Sequence, residues 1–469
     1  MRRIAPGCLL IATMAFLGFV QPGAAQDPAR IRRVAEHYAA KDGFSGTITF
    51  ASSGKVIFRH GYGFANRDQK SEFDEHTRFN VGSISKQFTA AAILLLQEDG
   101  KLTTNDRVVQ LLPEEKLPQA WSQITIRELL SHTSGLKDYF TQGIQGEHLP
   151  TELVDLVRDA PLEFKPGEGY DYSNTNYVLL GLVVQKTAAM PYCQFLHKRI
   201  FEPLGMRDTQ CLGEAGALEH HAIGYAPVDP GEGNPLTDDP PAPVANSNVF
   251  GAGSLVSTGD DLVRWTTALH HGRVLSAASY KEMTTPVRNG YGYGLQIGSN
   301  RGRMRLDHSG ILHGFYSELE YFPGTDNTVV ILSNQNALPK GQFTPGTHVI
   351  DSELMTLAAE PTASVPSENK EVFLSPLVLQ LFTGKYVSDD AKQAPFTISL
   401  RGNHLQLLEE GPGHSPSELR GDYGELDFYL SDAEADLEFS GQNEAVIFDL
   451  RFARALPFHR VQPIAVAAP

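Results

Sequence analysis

Cysteine is scarce in this chain, three in 469 residues, and positive charge is in deficit, with 39 Lys and Arg against 55 Asp and Glu. So few cysteines exclude a disulfide-rich scaffold. The formal net charge of -16 argues against nucleic acid or an anionic membrane as partner. The apolar run Cys8 to Val20 is shorter than the ~20 residues a spanning helix needs. There is no His-Glu-x-x-His, and the pairs His220-His221 and His270-His271 read as helix-end or surface residues, so neither metal nor cofactor is expected. No Gly-x-Ser-x-Gly elbow occurs, which disfavours an α/β-hydrolase esterase. No internal repeat is visible.

What is present describes a globular protein: 41% hydrophobic and 20% charged residues, over a length that predicts two domains. Arg2 and Arg3, the apolar Cys8 to Val20 and the small residues Gly23-Ala-Ala25 read as an export signal, 1–25, with the mature chain starting near Gln26. No stable membrane anchor is expected after cleavage. Export leaves Cys193 and Cys211, which flank a turn at Phe201 to Met206; the compartment permits a disulfide, and free buried cysteines fit equally well.

The chemistry centres on Phe79-Asn-Val-Gly-Ser-Ile-Ser-Lys-Gln-Phe88. Gly82 permits a sharp turn into a helix whose apolar residues Phe88, Ala91, Ala92, Leu95 and Leu96 recur at the helical period until Gly100 stops it. Positions three apart share a face, so the Lys86 amine lies over the Ser83 hydroxyl, and burial would favour the neutral, basic amine. The same Ser-x-x-Lys spacing occurs at Ser52, Ser134 and Ser367, but only Ser83 opens a long buried helix. Ser85 adjoins Lys86 and points to a different face.

Along the chain, Ile31 to Ala40 predicts a helix, and Gly46–Phe50 with Lys55–Gly63 a hairpin across Ser52-Ser-Gly54. Leu102 to about His271 is mainly helical, with Ser257-Thr-Gly-Asp260 resembling a capping box for a helix to His270. Strands are expected at Gly292–Ile297, Met304–His308, Ser317–Tyr321 and Thr328–Ser333. A sheet joined from both chain ends, with a helical region to one side, is the natural assembly. Pro227 to Asn248 reads as a lid or as surface decoration. After a linker at 361–375, alternating strands between Phe382 and Phe452 suit a small antiparallel barrel or sandwich.

Two more segments complete a site. In Tyr172-Ser-Asn174, a phenol beside Lys86 would have its anion favoured, so Tyr172 could take the Ser83 proton and return it to the leaving group; Asn174 could accept from Lys86 and donate to a substrate carbonyl. In His308-Ser-Gly310-Ile311, Gly310 would let substrate lie against a strand. The Ile311 amide could join that of Ser83 as an oxyanion hole, and His308 would supply a donor or a modest positive charge.

In this order the three motifs resemble the penicillin-recognising serine hydrolases: class C β-lactamases, D-Ala-D-Ala peptidases, D-aminopeptidases and related esterases. Leu130-Ser-His-Thr-Ser-Gly-Leu136, Phe164 to Asn174, Pro203-Leu-Gly-Met206 and Gly251-Ala-Gly-Ser-Leu-Val-Ser257 look like that family's scaffold segments. The resemblance implies an α/β fold, a β-lactamase-like antiparallel sheet flanked by helices with an all-helical subdomain at 26–360. It also implies Ser83 as nucleophile, Lys86 and Tyr172 as acid/base pair, and Asn174 as substrate-orienting residue. Residues 376–469 resemble an appended lipocalin-like barrel. The third motif departs from the family's Lys-Thr-Gly, which is absent from this chain, and looks more like the aminopeptidase and esterase branches. The expected activity is cleavage of an amide or ester, on a small peptide, ester or β-lactam-like substrate, through a Ser83 acyl-enzyme. A β-lactamase or penicillin-binding peptidase is the alternative, and a sensor that acylates without turnover is an alternative of another class. Oligomeric state has no sequence signal.

Overall fold

The computed structural model describes residues 26–228, 237–239, 246–335, 345–365 and 380–387, except 43, 143, 145, 301, 313 and 364, together with 395–402, 404–409, 417–421, 427–430, 435–439, 444–449 and 454–460. The export signal, most of the Pro227–Asn248 segment and Ser367 lie outside the described residues.

Strands β1 (Gly46–Ser52) and β2 (Lys55–Tyr62) form the expected hairpin, turning at Ser53 and Gly54. The short strands β3 (Phe79–Asn80), β4 (Gln210–Cys211) and β7 (Leu255–Ser257) make a small sheet in the order β3-β7-β4, and β5 (Ala226–Val228) pairs with β6 (Thr237–Asp239). Strands β8 (Gln296–Asn300), β9 (Arg303–Leu312), β10 (Phe315–Phe322) and β11 (Asn327–Ser333) complete the main sheet, β2-β1-β11-β10-β9-β8, antiparallel throughout. Ile48 faces Ile331 across the β1–β11 ladder, so the sheet is joined from both ends of the chain as expected.

Both faces of this sheet are covered, which is why its central strands are apolar at consecutive positions. Ile48, Phe50, Val329 and Ile331 pack with Ile31, Val34, Leu354 and Leu357 of the terminal helices Pro28–Asp42 and Pro345–Ala359. Their neighbours Ala51, Val330 and Leu332 join the larger core of the helical region. The helix Ser85–Glu98 runs through that core and is buried on every side from Ser85 to Leu96, not on one stripe, because helices Asn174–Ala188 and Gly259–His270 enclose it. Phe88 stacks on Trp265 at 4.1 Å, and Gly100, at φ +69°, ends the helix where expected.

Several boundaries differ from the sequence expectation. Gly292 belongs to a turn rather than a strand, since a Cβ there would meet the Met283 carbonyl at 2.4 Å; the alternating Tyr291, Tyr293 and Leu295 are buried by packing, not by a ladder. Thr258, not Ser257, caps Gly259–His270, accepting from the Asp261 amide. The first residues expected to be linker are packed: Val365 is fully buried, and Arg30 donates to the carbonyls of Pro361 and Ala363. Beyond them, eight strands from Gly384–Val387 to Arg454–Arg460 pair antiparallel in sequence, and the ring closes by Tyr386 pairing with Arg460. Tyr386, Phe396, Ile398, Leu405 and Leu407 are its buried side chains among the described residues.

Candidate active site

The turn carrying Ser83 is fixed from three sides. Strand β3 ends at Asn80, a single 3-10 turn covers Gly82–Ile84, and the helix continues from Ser85. The Val81 amide donates to the Leu255 carbonyl at 3.1 Å, and Ser317 Oγ donates to the Val81 carbonyl at 2.9 Å. Gly82 is required twice: its φ of +49° lies in the left-handed region, and a Cβ would stand 2.9 Å from the Ile311 nitrogen. Gly310 is required for a different reason from the one expected. A Cβ there would meet the Val81 carbonyl at 2.1 Å, so this glycine lets the turn carrying Ser83 approach β9. The same approach brings the Ile311 backbone beside Gly82, while the Ile311 side chain stays exposed.

Ser83 is half-buried and Lys86 fully buried. The Lys86 Nζ has three partners: Ser83 Oγ at 2.9 Å, Asn174 Oδ1 at 2.8 Å and the Ala252 carbonyl at 2.8 Å. The latter two can only accept, so they commit two N–H groups. The third tetrahedral position faces Ser83. Burial lowers the Lys86 pKa to about 7, with Asp138 opposing the shift. In the neutral amine the position facing Ser83 is the lone pair.

Asn174 is oriented by Asp138, whose Oδ1 accepts from the Asn174 backbone amide at 3.2 Å and whose Oδ2 accepts from Asn174 Nδ2 at 3.0 Å. The side-chain oxygen must therefore face Lys86, as expected, whereas one amide donor that had been expected to serve a substrate is engaged. The Tyr172 ring lies 4.9 Å from Lys86 Nζ, and its hydroxyl shares a hydrogen bond with the Ser83 side chain. Burial pushes the Tyr172 pKa far up, more than the Ser83 bond lowers it. The expectation of a favoured phenolate is thus corrected: with the nearby amine depressed toward neutrality and burial opposing the anion, the resting group is the phenol.

His308 also departs from expectation. It is buried, its Nδ1 sits 2.6 Å from the Ser309 carbonyl and its Nε2 2.9 Å from Tyr291 Oη. A carbonyl only accepts, so the proton is on Nδ1 and Nε2 accepts from the tyrosine. Burial, aided by Lys86, lowers its pKa to about 3, so it supplies no positive charge.

The remaining candidates separate cleanly. Ser52 and Lys55 flank the β1–β2 turn, Ser134 donates to Asn176 Oδ1 at 2.6 Å, and Ser85 Oγ accepts from the Leu255 amide. His270, half-buried at its helix end, stacks on Tyr321. The sequence reading missed Asp138, Tyr291 and His132, the last of which packs its ring 4.3 Å from Tyr172 and 4.8 Å from Tyr291. The only signal for His132 was its place in the Leu130–Leu136 segment. Cys193 and Cys211 are joined in a disulfide, with Cα atoms 6.0 Å apart.

The family model described as Beta-lactamase matches residues 31–350. Penicillin-binding protein 4* of Bacillus subtilis (strain 168) is 29% identical over 444 residues, covering 88% of this chain and 94% of its own. The D-aminopeptidase of Gluconobacter oxydans (strain 621H) is 26% identical over 421 residues, covering 86% and 76%. The D-amino acid amidase from Ochrobactrum anthropi SV3, solved with L-phenylalanine amide, superposes with a TM-score of 0.61 at 26% identity, covering 70% of this chain and 97% of its own. The match over most of the chain, on the fold and around the Ser83 pocket described above, identifies this protein as a serine hydrolase of the β-lactamase family.

Proposed function

We propose that the protein cleaves amides or esters of small, D-amino-acid-containing substrates through an acyl-enzyme on Ser83. The observation that carries this reading is the three-partner environment of Lys86, which directs a neutral amine at the Ser83 hydroxyl. The amine takes the hydroxyl proton as Ser83 Oγ bonds to the substrate carbonyl carbon, and the carbonyl oxygen becomes an oxyanion beside the Ser83 and Ile311 amides. As the C–N or C–O bond breaks, Tyr172 gives its phenolic proton to the leaving nitrogen or oxygen, and the Lys86 ammonium returns to the phenolate the proton it took from Ser83. Water then enters along the reverse route and releases the acid. Asn174 and Asp138 keep the amine aimed.

The neutral His308 supports an amide or ester substrate over one held by a free carboxylate, because a fixed lysine charge is missing where penicillin-processing relatives carry one. The D-aminopeptidase and D-amino acid amidase among the similar proteins support the same class. Export to an oxidising compartment is part of the proposal; the Cys193–Cys211 bridge supports it. The 376–469 region, resembling a lipocalin-like domain in sequence, is assigned no catalytic part.

A panel of D-phenylalanine amide, p-nitrophenyl acetate and benzylpenicillin, read by product release and intact protein mass, tests the reading. Turnover of amide or ester that disappears in Ser83→Ala, with penicillin left intact, is expected. A persistent penicillin adduct without amide or ester turnover would replace the proposal with a penicillin-binding sensor, and hydrolysed penicillin as the preferred substrate would replace it with a β-lactamase.

A further inference from the structure

Two consecutive carbonyls lie beneath the Ser83 pocket. That of Ala252 accepts from Lys86, and that of Gly251 accepts from Thr89 Oγ1 at 2.6 Å. Thr89 is one turn beyond Lys86 on the same helix and is fully buried. Its single hydroxyl proton is committed to the Gly251 carbonyl, so the second close contact of that oxygen, 2.6 Å from Tyr192 Oη, is a bond donated by the phenol. The carbonyls sit on a turn with no slack. Gly251 has φ +67°, and a Cβ there would stand 2.5 Å from the Tyr177 carbonyl.

The disulfide reaches this turn from both sides. Cys193 follows Tyr192, the donor to Thr89, while Cys211 pairs in register with Leu255 at the other end of the 251–255 segment. Leu255 in turn accepts from Val81 and donates to Ser85, on either side of the nucleophile. One short segment therefore supports both Ser83 and Lys86, and the covalent bridge ties its two props together.

We infer that Thr89, held by Tyr192 and the Cys193–Cys211 bridge, is a positioning residue for Lys86, fixing the Gly251–Ala252 peptide so that the amine presents its lone pair to Ser83. The inference rests on the reading of Lys86 as the base. Loosening the peptide would admit water to the amine and weaken its aim, while the other titratable groups that face it, Asp138, His132, Tyr172, Tyr177 and His308, stay in place.

The test is the acylation rate with p-nitrophenyl acetate across pH, alongside the melting temperature, for Thr89→Val, Thr89→Ser, Tyr192→Phe and the double variant Cys193→Ser/Cys211→Ser. Thr89→Val is expected to slow acylation by about tenfold or more and to move the acid limb of the profile to higher pH. Thr89→Ser should restore both, and the Tyr192 and cysteine variants should shift the limb the same way by less, which keeps the test informative if Thr89→Val does not fold. A lowered melting temperature with an unmoved limb and an unchanged rate per folded molecule would reduce Thr89 to packing and overturn the inference alone. Undiminished acylation in Lys86→Met would overturn the base assignment and this inference with it.

Discussion

Two fully buried cations lie on strands and helices that meet at the same sheet, and they behave in opposite ways. Lys86 is surrounded by a hydroxyl, an amide oxygen and a carbonyl, with no carboxylate in contact among the described residues, and burial brings its pKa down to about 7. Arg305, beside the terminal helix Pro345–Ala359, touches Asp307 at 3.0 Å and Glu320 at 3.2 Å, and the surrounding carboxylates push its pKa up despite burial. Neutral partners let burial carry a cation's pKa down toward neutrality, the state the proposed base needs, whereas nearby carboxylates hold a buried cation charged. The distinction separates chemistry from architecture in this molecule: the neighbours, not the depth, decide.

The sharpest way to break the comparison is to remove each cation. Lys86→Met should slow acylation by about three to four orders of magnitude, measured as the pre-steady-state burst with an ester, while leaving the fold intact. Arg305→Met should do the reverse. Leaving Asp307 and Glu320 buried without their partner should cost about 3–5 kcal/mol in denaturant unfolding, while kcat per folded molecule remains that of the wild type.

A smaller effect concerns stability against pH. Because folding depresses the Lys86 pKa from 10.5 to about 7, the folded state binds fewer protons than the unfolded one between those values, and stability rises with pH across that window. Below it the destabilisation is fully present. Lys86→Met should therefore match or exceed wild-type stability at neutral pH, by up to a few kcal/mol, with the advantage shrinking as pH rises toward that of a free lysine. A constant difference across the range, in paired thermal melts, would contradict the assigned shift.

The smallest expected change is at Glu318, whose pKa burial raises well above the ordinary carboxyl value, next to Asp351. A raised carboxyl contributes stability that is present at low pH and lost as pH rises through the folded value. Glu318→Gln should thus be neutral in acid and stabilising by about 1 kcal/mol in alkali, read by chemical denaturation.

Most of the scaffold was legible because its signals are local. The hairpin at Ser52-Ser-Gly54, the stop at Gly100 and the strand Thr328–Ser333 depend on turn chemistry and apolar runs, and they fall where the residues say. Ser83, Lys86, Tyr172 and Asn174 were legible too, since the first two share a helix face and the others follow a recognisable spacing, and the structure brings all four together. What was not legible is environmental. Nothing in the residue types tells that His308 would be sealed between Tyr291 and Ser309 and so be neutral, or that Gly310 serves the Val81 carbonyl. Asp138 was invisible for the same reason: its partner Asn174 lies 36 positions away, and only the fold aligns them. Tyr172 shows the general case, because its raised pKa follows from burial, a property of the assembled pocket.

The most direct test of the central claim is to titrate the lysine side-chain nitrogens or ε-carbons by NMR in the full-length protein, with Lys86→Met to assign the resonance. One lysine, missing from the variant, should titrate with a midpoint near the expected value of about 7 while the others keep ordinary alkaline values. If the resonance lost in Lys86→Met titrates instead near 10.5, the amine is a resting ammonium and the proposed proton path from Ser83 is wrong.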